Sequence, residues 1–363
     1  ETLTRFRAPE QYAYTVDLSG DDLDRVARAY LQLARNSSWW LNDRPPENIP
    51  YALRRPAQMI RGLVAIAGAF PAHRDEATDL AHAAGAYLVK ASEDAAFPGA
   101  PFPYWRGKSG RLGELSERLA VRLEECGLLD EAVVNGWFVV DAVPQEYFFD
   151  TGRVGEALAE LHAIDPQPEY ATWAEAAIGW HETQPMSVNF NYNAFLVLHL
   201  SQMTLSSGDT RHLNGALDRA LYGVLPGMIA DGDFAGHWVD PHNERFAYRA
   251  IMTRALTQLS HALALHPDAA SNDDRNRIFS AAQTALTALE AEMIDAEGVA
   301  SPEEMVEIYL DLEAARDAGA PIDISNPEAR AMVRAAAMQS IASGRFNAGA
   351  GAGRFLATLR ETL

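Results

Sequence analysis

The sequence predicts an all-α protein, built as one α/α toroid domain over residues 1–363, and three observations carry that expectation. Apolar residues recur at i, i+3 and i+4 in one segment after another. Asn-Gly or Asp-Gly hairpin signals between alternating apolar runs are nearly absent. The connections alternate between short polar links such as HPDAASNDD and longer ones rich in Pro, Gly and aromatics, which suits a ring of helix pairs with one decorated rim.

In chain order, DDLDRVARAYLQLARN opens the series, with Leu23, Val26, Ala27, Tyr30, Leu31 and Leu33 close to a 3.6-residue repeat. YALRRPAQMIRGLVAIAGAF, DEATDLAHAAGAYLVKASED, LGELSERLAVRLEECGLL, VGEALAELHAI and TWAEAAIGWHE follow. SVNFNYNAFLVLHLSQMTL comes next, with Ser187 expected as N-cap, and then HLNGALDRALYGVLPGMI, read as one helix. ERFAYRAIMTRALTQLSHALALH starts near His242–Asn243, and NRIFSAAQTALTALEAEMI, PEEMVEIYLDLEAARDA, PEARAMVRAAAMQSIA and AGRFLATLRETL complete the set. With the β-branched VVNGWFVVDAVPQEYFF, about fourteen segments make about seven pairs. No repeat of fixed length appears, against the common solenoids.

Composition narrows the function. Hydrophobic residues make up 48% and charged residues 22% of 363, enough for a sizeable core. A net charge of −20 argues against nucleic acid as partner, while a local Arg cluster can still reverse the field in one cleft. No apolar run spans a membrane. The lone Cys126 makes no internal disulfide or cysteine zinc site and is expected as a small buried apolar residue. No HExxH-like spacing suggests a metal, and no cofactor is implied. The chain opens at Glu1 without a basic, apolar leader pattern, which leaves the compartment open.

Trp39, Trp40, Tyr104, Trp105 and Trp238 lie in polar, Pro/Gly-rich contexts, where such rings either stack on sugar faces or plug loops. In GWFVVDAVPQEYFFDTGRVGEAL, Asp141, Gln145, Glu146, Tyr147, Asp150 and Arg153 stand among bulky apolars. There Asp150 or Arg153 is expected to point to one end of the ring, unless Asp150 is an N-cap. A helix after Pro185 stacks Asn189, Tyr192 and Asn193 on one face, with Asn191 directed elsewhere. Three Asn in five residues are poor helix formers, tolerated where they cap or where amides line a polar cleft. His199, among Leu and Val, reads as a core histidine. After the loop DGDFAGHWVDPHN, Arg245, Tyr248 and Arg249 share adjacent helix faces, while Arg254 reads as a solvated charge.

The segments NFNY (189–192), DGDF (231–234) and RFAY (245–248) resemble the alginate lyase group of α/α-toroid polysaccharide lyases over residues 185–265. In that group an N-H-x-Y helix start precedes a D-G-F loop and an Arg-rich helix. The resemblance implies β-elimination on a 1,4-linked uronate polymer: alginate, glucuronan or another polyglucuronate. It makes Tyr248 the acid/base, Asn189 the carboxylate neutraliser with Asn193 nearby, and Arg245 a carboxylate ligand or a tuner of Tyr248. Tyr192, Arg249, Trp238, Trp105, Tyr104, Trp40 and Arg153 are then substrate-binding candidates, and a periplasmic or secreted site is favoured. The chemistry suits these residue types, since removing the C5 proton of a uronate needs its carboxylate neutralised by amide or guanidinium donors. A tyrosine can then pass a proton to the O4 leaving group. The chain departs from the group at Phe190, where the histidine is expected, and at Pro241–His242, where an arginine is. His242 and His237 therefore rank above His181 as assisting groups. Two alternatives stay open. One is a toroid glycoside hydrolase acting on unsaturated uronyl oligosaccharides, using Asp141, Asp150, Asp231 or Asp233. The other is a non-catalytic carbohydrate-binding scaffold.

Overall fold

The computed structural model describes residues 20–42, 53–93, 118, 120–130, 147–240, 243–323, 326–342 and 349–361. Among them the chain is all-α, with no strand and one isolated bridge, Met228 to Trp238. The helices are α1 (Gly20–Ser37), α2 (Arg54–Ala69), α3 (Arg74–Glu93), α4 (Tyr147–Ile164), α5 (Pro168–Glu182) and α6 (Phe190–Ser207). They continue with α7 (Leu213–Arg219), α8 (Phe246–Leu265), α9 (Asn272–Asp295), α10 (Pro302–Asp317), α11 (Pro327–Ala342) and α12 (Ala350–Glu361).

Two kinds of helix follow from the residue pattern. α1 buries one stripe, Leu23, Ala27, Tyr30, Leu31 and Ala34, and carries Asp21 and Asp22 in its first turn and Arg35 in its last, which complements the helix dipole. In α6 every residue from Asn191 to Leu200 is buried, and in α8 every residue from Arg249 to Ser260. Such helices are enclosed by protein on all sides.

The enclosed helices contact one another in sequence: α2 packs on α4, α4 on α6, α6 on α8, α8 on α10, α10 on α12, and α12 returns to α2. α3, α5, α7, α9 and α11 each pack on the helix before them, and α1 touches α12. Among the described residues six helices make this circuit. Of the further helices expected, 112–129 is helical at the described residues 118 and 120–125, and 133–149 lies largely outside the described residues. Helix starts meet helix starts: Arg54 Nε donates to Asp150 Oδ1 at 2.7 Å, and Asn191 Nδ2 to Asn243 Oδ1 at 2.8 Å. Gly152 and Gly155 of α4 meet Phe195 and His199 of α6 in the same order, Arg254 of α8 meets Glu307 of α10, and Gly351 at the start of α12 meets Glu303 at the start of α10. The six therefore run parallel, whereas Phe148 at the start of α4 lies 5.2 Å from His181 at the end of α5. Where α12 meets α2 the backbones nearly touch. A Cβ on Gly353 would fall 2.4 Å from the Gly62 carbonyl oxygen.

Between these helices lies a buried ionic core. Arg61 reaches Glu160 at 2.8 Å, Glu307 at 2.7 Å and Glu156 at 3.4 Å. Arg254 pairs with Glu156 and, at 3.1 Å, with Glu307. Arg354 joins Glu307 at 3.2 Å and Asp311 at 2.9 Å. Burial opposes the charge on Glu307, but Arg254, Arg61, Arg354 and Arg153 outweigh it and hold the carboxyl well below its ordinary range. Arg254 is thus a fully buried ion-pair member and not a solvated charge. Cys126, expected to be buried, is exposed.

Candidate active site

The two segments singled out in the sequence are neighbours. Asn189 is the N-cap of α6 and Arg245 that of α8. The Asn191–Asn243 pair joins the two helix starts, with both the backbone N–H and Nδ2 of Asn191 donating to Asn243 Oδ1. Ser187, expected as the cap, instead accepts through Oγ from the Asn189 N–H at 3.1 Å.

Several expected substrate ligands are structural. Asn193 is buried, and all four hydrogen-bonding positions of its amide are filled from within. Nδ2 donates to Ser187 O at 2.8 Å and Gly223 O at 2.7 Å, while Oδ1 accepts from Ser187 N at 3.0 Å and Arg219 Nη1 at 3.3 Å. Trp238 is buried too, its Nε1 donating to Val224 O at 3.1 Å. Asn193 and Trp238 thus hold the carbonyls of a π-helical turn, Ala220–Val224, that interrupts what reads as one helix and leaves Tyr222 exposed. Trp40 is buried beside Tyr87, so it plugs its loop and offers no stacking face. Asn189 and Tyr192 are buried as well, which takes the neutralising amide of Asn189 out of reach of a ligand in this structure. Asp150 lies inside the first turn of α4, paired with Arg54, and is not a cap. His181 and His199 are core residues, and burial holds both imidazoles well below their ordinary range.

The half-buried and exposed polar groups sit where α8 begins. Arg245 is exposed, and its guanidinium carbon stands 4.4 Å from the centre of the half-buried Tyr248 ring. The loop before it folds back tightly: Ile229 N–H donates to His237 O and Gly236 N–H to Ile229 O, both at 2.8 Å. Gly236, at φ +84°, lies so close to α9 that a Cβ would meet Thr284 O at 2.4 Å. This loop holds His237 with Nδ1 2.5 Å from Glu244 Oε1. Arg249, read as a substrate ligand, is buried behind them. It donates through Nε to Glu244 O at 3.0 Å and pairs with Glu292 at the end of α9. His242, Tyr104 and Trp105 lie outside the described residues.

No family model matches the chain, and no curated protein or solved structure matches it.

Sequence reading missed Arg54 and Glu304 on the same end of the helices. Arg54 opens α2 with its guanidinium carbon 3.3 Å from the centre of the Phe149 ring. Arg153, one turn into α4, reaches Glu304 in the first turn of α10 at 2.9 Å. Arg153 was placed at one end of the ring, but its partner Glu304 was not foreseen. The available signal was the recurrence of charge on an otherwise buried helix face: Arg153, Glu156 and Glu160 on α4, and Glu304, Glu307 and Asp311 on α10.

Proposed function

We propose that the six parallel helices and their outer partners form an α/α toroid, and that the end where the six begin binds an acidic polysaccharide and cleaves it by β-elimination. Six helix N-termini on one side bring their partial positive charges together. Arg245 adds a full charge there, an arrangement suited to a polyanion even on a chain of net charge −20.

The observation that carries the reading is the Arg245–Tyr248 pair on the first turn of α8. With a uronate carboxylate on Arg245, electron density from the breaking C5–H bond flows toward that carboxylate. The C4–O4 bond then breaks and a C4–C5 double bond forms. Tyr248 takes the C5 proton and supplies one to O4, leaving an unsaturated sugar and a new chain end. Arg245 takes over the neutralising role once assigned to Asn189, because Asn189 is buried. His237, oriented by Glu244, is the assisting imidazole on the described part of the rim.

Incubation with alginate, polyglucuronate and pectin, followed by ultraviolet absorbance of the new double bond, tests the reading. Absorbance should rise with one of the polyuronates, and Tyr248→Phe should lower the rate by about 10²–10⁴-fold without altering the fold. Reducing ends without absorbance would mean hydrolysis. Retention of most activity by Tyr248→Phe would sink the mechanism.

A further inference from the structure

Arg153 and Glu304 belong to helices that are not neighbours in the circuit, since α4 packs on α2 and α6 while α10 packs on α8 and α12. Their 2.9 Å contact therefore crosses the space between the six helices, on the side where those helices begin. The two partners differ. Arg153 has 3% of its side chain exposed, and its guanidinium carbon is set 5.2 Å from the centre of the Phe195 ring. Glu304 is 21% exposed and lies in the first turn of its own helix, so its carboxylate can swing out to water and still face a helix N-terminus.

The pairing is also incomplete. Glu304 engages Nη2 of Arg153, while Nε makes no hydrogen bond among the described residues and Nη1 stands 3.6 Å from Glu156, beyond hydrogen-bonding reach. The second oxygen of Glu304, Oε2, is buried and also makes none. A guanidinium presents parallel donors that fit both oxygens of a carboxylate, and this pair uses one of them.

We propose that Arg153 is a carboxylate-binding site for a uronate residue of the polymer, and that Glu304 is a built-in stand-in which that carboxylate displaces. The incoming group takes Nε and Nη2 together, and Glu304 turns out to solvent. The inference rests on the acidic-polysaccharide reading for its ligand, and not on the elimination step. It gives the protein a way to prefer charged over neutral sugars, because only a carboxylate can replace the one it expels.

Calorimetric binding of tetraglucuronate, with cellotetraose as the neutral probe, tests it in a Tyr248→Phe background in which the probe survives. Glu304→Gln keeps the shape of the side chain but removes the competing charge, and should tighten tetraglucuronate about tenfold while leaving cellotetraose unchanged. Arg153→Met should weaken tetraglucuronate binding about tenfold and leave cellotetraose unchanged, with Arg245 still holding a second carboxylate. If the arginine variant does not fold, Glu304→Gln alone decides. Unchanged or weaker tetraglucuronate binding by a folded Glu304→Gln protein overturns the proposal. Tightening, when the protein with Tyr248 intact yields no ultraviolet-absorbing product, sustains the carboxylate site and removes elimination. Product formed without tightening sustains elimination and removes the role of Glu304.

Discussion

His199 is fully buried, with its ring where a Cβ on Gly155 would stand, and burial holds its imidazole down to about 3 against an ordinary 6.5. His181, 6.5 Å away, is depressed by the same burial and by His199 itself. The consequence has a definite sign. The unfolded chain binds protons near pH 6.5, and the folded His199 does so only near 3. Its contribution to stability is therefore complete above about pH 6.5 and is lost as the pH falls toward about 3. One such histidine costs about 1.4 kcal/mol per pH unit across that window. The carboxylates of Glu156 and Glu307, held low by their arginines, add a further loss only below their unfolded range near 4.5. Between pH 6 and 5 the histidines stand apart from them. His199→Leu should flatten the fall of the melting temperature over that interval, and a slope equal to that of the parent would show that His199 does not titrate on unfolding. The burial of His199 was legible in the sequence, from its place among Leu and Val. The burial of Asn193 was not, because an amide at a helix start looks the same whether it meets a sugar or the Ser187 and Gly223 carbonyls.

Helices were legible wherever the apolar pattern ran unbroken, and ends were legible less often. α6 begins at Phe190 and not at Ser187, because Ser187 turns back on the chain and Asn189 takes the cap position. α4 begins at Tyr147, so the D-T-G that reads as a helix start lies inside its first turns, enclosed by α2 and α6. The reason is packing. Gly152 and Gly155 weaken a helix by propensity, yet each is a point of contact with α6: a Cβ would lie 2.6 Å from the Phe195 carbonyl oxygen at Gly152 and 2.1 Å from the His199 ring at Gly155. Tertiary proximity thus selects small residues that a single-helix reading counts as breakers. Gly155→Ala should cost about 1–3 kcal/mol by overpacking, although alanine is the better helix former. Denaturant unfolding measures this directly. Pairing the change with His199→Ala should recover most of the loss, and a double variant as unstable as the sum of the two single changes would place the strain elsewhere.

At the scale of the whole molecule, the ionic core does what an apolar core cannot do with the same helices. Arg61, Arg254 and Arg354 come from α2, α8 and α12, and Glu156 and Glu307 from α4 and α10. Each pair joins two helices of the circuit, and Arg61 and Arg254 each contact both Glu156 and Glu307. Such charges are worth little as isolated pairs, because desolvation offsets their attraction, but removing one partner strands the other in a medium that cannot solvate it. The all-helical class was therefore readable from periodicity, while the centre was not. Charged residues on a helix read as solvent-facing unless something reveals that both faces are covered, and Arg254 was misjudged on that ground. Arg254→Met should cost about 3–5 kcal/mol, leaving Glu156 and Glu307 short of one cation. Glu307→Met should be similarly severe, since it frees Arg61, Arg254 and Arg354 together. The two changes combined should cost less than their sum, because each removes the penalty the other creates. Urea unfolding of the three variants at neutral pH decides the point. Strict additivity would mean that Arg254 and Glu307 stabilise the protein independently, and that the charged centre is a set of separate contacts and not one coupled unit.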